Sequence, residues 1–217
     1  MREYIGDTSN PSKDEEVKDD GKLRLAFGCG HINYKPWGYT NVDIRNGFPH
    51  IDFPDVDVSK KLPWEDNSVH HILAESILEH ISHGFWEGGS PYAVSHLNIV
   101  RVLKEWHRVL EPGGRLIVKV PNIKGIVIQY LKKNITAKDF WMYLYGGQEY
   151  KENTHLSGFD TDIMRECLML AGFKNIEFKN CHNLKQDLDE ENAWEMSAIG
   201  YKDEKDSKTV QAKPVQL

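Results

Sequence analysis

Gly28 and Gly30 follow a compact apolar segment, LRLAF at residues 23–27. A side chain at either position would intrude on a ligand, so this turn lets a ligand approach the bare backbone. The next apolar segment, TNVDI at residues 40–44, ends beside an acidic residue, Asp43. A carboxylate placed there can accept hydrogen bonds from two ribose hydroxyls. An ordinary tight turn with a solvent-facing aspartate gives the same pattern, so the motif alone leaves both interpretations open.

The spacing after the glycines discriminates between adenosyl ligands. A dinucleotide-binding turn has a third glycine and a helix whose amino terminus holds the pyrophosphate. Here the chain continues with His31-Ile32-Asn33, and 12 residues (31 to 42) separate Gly30 from Asp43, fewer than a full first helix occupies. A ligand without phosphates does not need that helix. The shortened turn therefore favours S-adenosylmethionine, which has an adenine, a ribose and an amino-acid tail, over NAD.

Residues 55–82, DVDVSKKLPWEDNSVHHILAESILEHIS, carry a second set of motifs. This segment resembles the pattern D-h-x-x-x-L-P-[FW]-x-D-N-S-[FV], followed by a strand and L-E-H, of class I S-adenosylmethionine-dependent methyltransferases of the methyltransferase type 11 kind. Residues 103–122 resemble the helix, L-x-P-G-G turn and strand of that family, and residues 171–178 its closing helix-to-strand turn. The resemblance implies a domain that binds S-adenosylmethionine and transfers its methyl group.

The resemblance also implies roles for individual residues. Asp57 is expected to approach the adenine amino group, and the backbone N–H of Val58 to meet the ring. Glu75 and Ser76, after the following strand, are expected along the methionine part of the cofactor. Together with the glycine turn, the predicted cofactor-binding residues are Phe27, Gly28, Cys29, Gly30, Asp43, Ile44, Asp57, Val58, Glu75 and Ser76.

One departure from the family's pattern concerns the cofactor's ammonium group. The family often has an acidic residue two positions before the first glycine, and this chain has Ala26 there. The contact must come from elsewhere or be lost. Ala26 and the shortened turn therefore keep a second interpretation open, a non-catalytic module that binds S-adenosylmethionine without turnover.

Short apolar segments alternate with longer amphipathic ones between two polar ends. This alternation is typical of a mostly parallel sheet, whose ligand site lies at the carboxyl ends of the strands. We predict an α/β fold over residues 22–201, Rossmann-like, with a mostly parallel seven-stranded sheet and helices on both faces. Residues 1–21 and 202–217 are predicted to be disordered tails. The predicted strands are 23–27, 40–44, 70–76, 114–122, 175–180 and 196–202, and the predicted helices lie within 96–110 and 160–173.

A hydroxyl that accepts a methyl group benefits from a general base, for which histidine is the usual choice. His80, in L-E-H, is expected at the cleft edge, with packing at a helix end as the alternative. Residues 123–160 are an aromatic-rich insertion that we predict to be a substrate lid, because loops at this end of a sheet recognise substrates. His155 within the lid is the leading candidate for the base, with a hydrogen bond to the lid backbone as the alternative. We expect no metal, and attribute the three-residue spacing of His80 and His83 to chance.

Composition narrows the function further. A formal charge of −6 argues against a broad nucleic-acid surface, and no tetrapeptide suited to stacking a flipped base is present, so a nucleic-acid methyltransferase is the less favoured alternative. No apolar run approaches the roughly 20 residues of a membrane helix, and the amino terminus lacks the apolar core of a secretion signal. The sequence therefore predicts a cytoplasmic protein without a membrane partner. We expect a small-molecule substrate, with a sugar among the candidates, and a homodimer is compatible with the sequence.

Overall fold

A computed structural model describes residues 20–83, 96–180 and 193–208. Within these ranges six strands form one sheet in the order β2-β1-β3-β4-β6-β5. The first four strands are parallel to one another, whereas β6 is antiparallel to both β4 and β5. This confirms the predicted Rossmann-like, mostly parallel α/β fold. The strands are β1 (Arg24–Phe27), β2 (Thr40–Val42), β3 (Val69–Glu75), β4 (Leu110–Pro121), β5 (Lys174–Asn180) and β6 (Glu195–Tyr201).

A single isolated bridge lies at the free edge of β2. Val42 forms an isolated parallel bridge with Phe53. Backbone hydrogen bonds from Asp43 N–H to the Phe53 carbonyl (3.2 Å) and from Phe53 N–H to the Asn41 carbonyl (3.1 Å) hold this bridge. In the described part of the chain, the sheet therefore has six strands, one fewer than predicted, with this single bridge at its β2 edge.

Two helices cover one face of the sheet. Helix α1 (Leu97–Val109) packs against the last of the four helices, α4 (Thr161–Ala171), and both bury apolar side chains against the strands. The Asp160 carboxylate caps α4 by accepting the backbone N–H of Ile163 at 2.8 Å. Gly172 ends the helix with φ 107°, a left-handed conformation that favours glycine. Both predicted ends of this helix are thus confirmed.

The opposite face of the sheet is covered by loop residues. Ala26 and Leu73 point to this face and form a cluster with Tyr34 and Tyr39. The short segment between β1 and β2 holds only one 3₁₀ turn, Lys35–Trp37. We predicted helices on both faces of the sheet. In the described residues, α-helices cover only one face, because the 12 residues between Gly30 and Asp43 are too few for a first helix.

The insertion at residues 123–160 leaves and re-enters the sheet at one point. It contains α2 (Ile123–Leu131), α3 (Ala137–Tyr145) and the 3₁₀ turn Lys151–Asn153. A bridge between Asn122 and Phe159 closes the insertion at the carboxyl end of β4. Its helices therefore stand at the sheet edge where a ligand is expected.

The predicted carboxyl-terminal tail begins later than residue 202. Lys202 is buried, and its Nζ donates to Asn67 Oδ1 at 2.7 Å and to the backbone carbonyls of residues 107–108 at 2.9 and 3.3 Å. A 3₁₀ turn, Glu204–Lys208, follows. The boundary at 202 is therefore wrong, because Lys202 fastens the chain to the domain. No helix in the described ranges has the length and apolar character needed to cross a bilayer. The predicted tail residues 1–19 and 209–217 lie outside the described residues.

Candidate cofactor and acceptor site

The glycine turn and Asp43 meet at the carboxyl edge of β1 and β2. Gly28 and Gly30 have φ values of 63° and 58°, in the left-handed region that favours glycine. The backbone N–H of Gly30 donates to Asp43 Oδ2 at 2.7 Å, and the Asp43 side chain is buried. The structure thus brings together the residues predicted for close backbone approach and for ribose binding.

Arg45 covers this junction. Besides the bond from Gly30, the Asp43 carboxylate accepts the backbone N–H of Arg45 at 2.8 Å, its Nε at 3.1 Å and its Nη2 at 3.2 Å. These four bonds engage all the lone-pair positions of the carboxylate. A Cβ atom at Gly30 would lie 2.7 Å from Arg45 Nη2, so the guanidinium rests on the glycine. Arg45 therefore lies over the predicted ligand approach, and its side chain must move before ribose hydroxyls can reach Asp43.

The ion pair also keeps Asp43 ionised. Burial acts to raise the pKa of this carboxyl, but the hydrogen bonds from Arg45 and Gly30 outweigh burial and hold the pKa below its ordinary value. The carboxylate is therefore an acceptor only, which is the form that two ribose hydroxyls require.

The other residues of the turn present their backbone to the edge. The ring of Phe27 lies in the core, 5.3 Å from the ring of Trp106, and the thiol of Cys29 is buried in the cluster on the opposite face. Burial raises the pKa of the Cys29 thiol to about 11. A Cβ atom at Gly28 would lie 2.7 Å from Ile77 Cδ1. Ile77 Cγ1 and Cβ would lie 2.9 and 3.1 Å from the same atom, and a change of rotamer does not move Cβ, so Ile77 covers Gly28 as Arg45 covers Gly30.

Asp57, Val58 and Ile44 lie beside Asp43. The backbone N–H of Val56, which precedes Asp57, donates to the Asp43 carbonyl at 3.1 Å. Asp57 Oδ1 accepts the backbone N–H and the hydroxyl of Ser59 at 2.9 and 2.6 Å, which leaves its other oxygen for a ligand amino group. The Val58 carbonyl accepts the indole N–H of a helix α1 tryptophan at 2.8 Å. Ile44 is 51% exposed and offers an apolar surface for a purine ring.

Glu75 is the last residue of β3 and follows Ala74, which pairs with Phe27 at the end of β1. Its Oε2 accepts the Tyr34 hydroxyl at 3.0 Å and lies 3.4 Å from Lys119 Nζ. Ser76 follows with φ 50°, and its backbone N–H donates to the Lys119 carbonyl at 3.0 Å. The carboxyl end of β3 thus carries an acidic side chain, which contacts Tyr34 and Lys119, although the residue two positions before Gly28 is not acidic.

The insertion is fastened to the 3₁₀ turn Leu78–His80, just beyond β3. The backbone carbonyl of Glu79 accepts the two successive N–H groups of residues 156–157 at 2.8 and 3.0 Å. These bonds bring His80 and His155 together, with ring centroids 4.9 Å apart and planes at 72°. The two predicted acceptor-side histidines therefore form one cluster at the junction of β3 and the insertion.

Each histidine has one ring nitrogen bound to the backbone. His80 Nδ1 lies 3.1 Å from the Thr154 carbonyl, and His155 Nδ1 lies 3.1 Å from the Tyr143 carbonyl. A carbonyl only accepts, so Nδ1 carries the proton in both rings and Nε2 holds a lone pair. Burial lowers the pKa of both histidines, and the adjacent His80 lowers that of His155 further. Both rings are therefore neutral near pH 7.

Glu79 is the site residue that sequence reasoning missed. It is 2% exposed, and its Oε2 has no hydrogen-bond partner among the residues that the structure describes. Burial, reinforced by the anionic Glu195 and Glu75, raises the pKa of Glu79 to about 8. One ligating atom from each of Glu79, His80 and His155 lies within 4.8 Å of the other two. The L-E-H motif contains Glu79 and His80, but the third member of the group, His155, is 76 positions from Glu79 (155 − 79), so the sequence alone does not bring the three together.

His83, which the sequence places near His80, has other partners. Its Nδ1 lies 2.9 Å from His96 Nδ1, and its Nε2 accepts the backbone N–H of Gly158 at 3.3 Å. The group of Glu79, His80 and His155 does not include it.

The middle of the chain matches the model of a known protein family. Residues 39–118 match the family model described as a methyltransferase domain. The match runs from just before β2 to within β4, so it includes Asp43, Asp57 and the L-E-H motif, whereas the glycine turn lies outside it. This confirms the resemblance to class I S-adenosylmethionine-dependent methyltransferases. No curated protein matches the sequence.

Solved structures support the same fold. A SAM-dependent methyltransferase from Archaeoglobus fulgidus superposes with a TM-score of 0.54 at 14% identity, covering 84% of this chain and 87% of that one. A Thermotoga maritima SAM-dependent methyltransferase, titled a possible histamine N-methyltransferase, gives 0.53 at 18% identity over 83% and 81%. Haemonchus contortus phosphoethanolamine N-methyltransferase 2, in complex with phosphomonomethylethanolamine and S-adenosylhomocysteine, gives 0.52 at 13% identity over 84% and 49%. At these identities the likeness establishes the fold.

Proposed function

We propose that this chain, which has the class I methyltransferase fold and matches the methyltransferase domain family over residues 39–118, binds S-adenosylmethionine and methylates a small molecule. The observation that carries the proposal is the junction of Gly30 and Asp43 at the carboxyl edge of the sheet. A buried acceptor for ribose stands there beside a glycine turn. The short connection between β1 and β2 has no α-helix whose amino terminus could hold a pyrophosphate.

The residues at this edge fit the parts of the cofactor. Asp43 binds the ribose hydroxyls once Arg45 has turned aside, and the backbone at Gly28 and Gly30 allows close approach of the methionine part once Ile77 and Arg45 have shifted. Ile44 and Val58 pack against the adenine, with Asp57 near its amino group. Glu75 supplies the acidic partner for the ammonium group that Ala26 cannot supply. When bound, S-adenosylmethionine supplies a methyl group on a sulfonium for in-line transfer to a nucleophile.

The acceptor side is formed by the cluster at the insertion. His80 and His155 have basic Nε2 atoms, and either can accept a proton from an acceptor hydroxyl. The helices of residues 123–160 stand over the same edge, which supports their role as a substrate lid. We therefore place the acceptor between the lid and the carboxyl end of β3. A small-molecule hydroxyl or amine, with a sugar hydroxyl as one candidate, suits this site better than a nucleic acid, because the chain carries a formal charge of −6.

Isothermal titration calorimetry tests the cofactor assignment. We expect one S-adenosylmethionine or S-adenosylhomocysteine per chain and no comparable binding of NAD. Asp43→Ala should weaken S-adenosylmethionine binding by about 1–3 kcal/mol, because the ribose hydroxyls lose their acceptor. Binding of NAD in preference to S-adenosylmethionine would refute the assignment, and an unchanged affinity in Asp43→Ala would remove Asp43 from this role.

A second candidate is a module that binds S-adenosylmethionine without turnover. The observation that favours it is the closure of Arg45 over Asp43, which opposes cofactor binding. Labelled S-adenosylmethionine incubated with a panel of hydroxyl and amine acceptors separates the two candidates. Transfer of label to any acceptor supports the enzyme, and binding without transfer across the panel supports the module.

A further inference from the structure

We infer that Glu79, His80 and His155 form a binding site for one divalent transition-metal ion, such as Zn²⁺. This reverses the expectation from the sequence that no metal site is present. The residues come from two chain segments that meet at the carboxyl ends of β3 and β4, and their ligating atoms lie within 4.8 Å of one another.

The chemistry of the three residues suits such an ion. Two imidazoles and one carboxylate are a common ligand set of catalytic zinc sites, which keep a further position open for water or substrate. A histidine that binds a metal usually donates its other ring nitrogen to a backbone carbonyl or carboxylate, which fixes the tautomer and the ring orientation. His80 and His155 both make this bond, to Thr154 and Tyr143. Both therefore hold Nε2 ready as the metal-binding atom.

Glu79 supplies the second, independent observation. A carboxylate side chain with 2% exposure would ordinarily be hydrogen-bonded, yet Glu79 Oε2 has no partner within residues 20–83, 96–180 and 193–208. The charged side chains that act on Glu79 are Glu195 and Glu75, both acidic. An uncompensated acidic group buried among other acidic groups is stabilised by a cation placed against it.

The geometry requires only a small contraction. Zinc–ligand distances of about 2.0–2.2 Å place two ligands of a tetrahedral ion about 3.4 Å apart. The observed separations of up to 4.8 Å exceed this by little more than an ångström. The bonds from residues 156–157 to the Glu79 carbonyl already hold the two chain segments together, so the contraction required is of side-chain size.

The role that we assign to this ion rests on the proposed function. With three protein ligands, the ion takes a hydroxyl oxygen of the methyl acceptor as its fourth ligand and lowers the pKa of that hydroxyl. The hydroxyl proton is released to solvent on ligation. In this arrangement the Nε2 lone pairs of His80 and His155 hold the ion, so neither histidine is the general base, and the acceptor class narrows from hydroxyl or amine to hydroxyl.

Metal binding to the untagged full chain tests the site directly. After treatment with chelator, the protein is titrated with Zn²⁺ by calorimetry and with Co²⁺ by visible absorption, which reports coordination by nitrogen and oxygen. We expect one ion per chain and a rise in the thermal midpoint with Zn²⁺. Glu79→Gln and His155→Asn should each weaken Zn²⁺ binding by about 100-fold or more, because each removes a ligand of the ion.

His70→Gln is the matched control. His70 stacks on His71 with ring centroids 4.1 Å apart, so it belongs to another histidine pair that could bind metal adventitiously. This variant should bind Zn²⁺ as the unaltered chain does. Glu79→Gln preserves side-chain shape, so its folding can be checked by circular dichroism in the same samples. The inference is overturned if the unaltered chain binds no Zn²⁺ or Co²⁺, or if Glu79→Gln and His155→Asn bind them as tightly as His70→Gln.

Cofactor titration of the same samples keeps the two proposals separate. Zinc binding without S-adenosylmethionine binding would refute the proposed function and leave the metal site standing. S-adenosylmethionine binding without zinc binding would do the reverse. If both bind, removal of the ion should abolish label transfer to hydroxyl acceptors while the affinity for S-adenosylhomocysteine stays unchanged, and full transfer without the ion would overturn the assigned role.

Discussion

Replacement of Arg45 by methionine should tighten the binding of S-adenosylmethionine. The guanidinium donates two hydrogen bonds to Asp43, at 3.1 and 3.2 Å, and the ribose hydroxyls must displace both. Methionine keeps an apolar stem over the turn but cannot donate these bonds. The carboxylate would then retain only the two backbone donors, from Gly30 and residue 45.

The expected gain in affinity for S-adenosylmethionine follows from the solvent exposure of the Arg45–Asp43 ion pair. Arg45 is 39% exposed and Asp43 is 3% exposed, so the interaction is screened on one side only. A partly exposed ion pair of this kind contributes up to about 1 kcal/mol. Removal of this competing interaction should lower the Kd for S-adenosylmethionine about fivefold, since 1.4 kcal/mol corresponds to a factor of ten.

Lys35→Met is the control for charge alone. Lys35 pairs with Asp52 at 2.7 Å on the same side of the sheet, and its removal changes the net charge as Arg45→Met does without uncovering Asp43. Calorimetry on both variants, and on Arg45→Met in an Asp43→Ala background, completes the test. We expect a fivefold gain for Arg45→Met, little change for Lys35→Met, and no effect of the arginine once Asp43 is absent. An equal gain in both single variants, or weaker binding by Arg45→Met, would refute the idea that Arg45 competes with the ribose.

Three further predictions concern stability, measured by urea unfolding. Burial, together with the nearby cations, lowers the pKa of His71 to about 3. As the pH is lowered, the unfolded chain therefore takes up a proton on His71 before the folded chain does. The unfolding free energy should decrease as the pH falls from 6.5 to 3, by at most about 1.4 kcal/mol per pH unit. This part of the slope should be missing in His71→Gln, and identical slopes would contradict the assignment. Trp106→Phe removes the indole N–H that pairs a buried carbonyl at 2.8 Å, which should cost about 1–3 kcal/mol, and a change below 0.5 kcal/mol (roughly the scatter for neutral sites) would contradict it. Gly125→Ala should destabilise the fold by about 1–3 kcal/mol or more, because the added methyl group would overlap the Ala193 carbonyl. Gly47→Ala is the control and should be neutral, because the space around Gly47 is open. Equal effects of the two variants would contradict this prediction.

The order of strands and helices could be predicted because it is encoded locally. The apolar segments at 23–27 and 70–76 lie within a residue or two of β1 and β3, and helix α4 lies within the predicted range 160–173. The missing first helix was also visible, as the short spacing between Gly30 and Asp43. Local periodicity and capping chemistry were sufficient for these features.

The parts that sequence reasoning missed depend on contacts between distant segments or on side-chain rotamers. Arg45 follows Asp43 by two residues, but nothing in the sequence indicates that its guanidinium folds back onto Gly30. The cluster of Glu79 and His155 forms only because the insertion donates backbone hydrogen bonds to the turn after β3. Backbone bonds of this kind leave no pattern in side-chain type, so the sequence, which singled out His80 and His155, gave no sign that Glu79 lies with them.

A crystal structure of the complex with S-adenosylhomocysteine tests the central claim most directly. We predict the ribose hydroxyls within hydrogen-bond distance of Asp43, the guanidinium of Arg45 turned away from it, and the amino-acid tail beside Gly28 and Glu75. A complex in which Arg45 still clasps Asp43 while the ligand lies elsewhere would contradict the account.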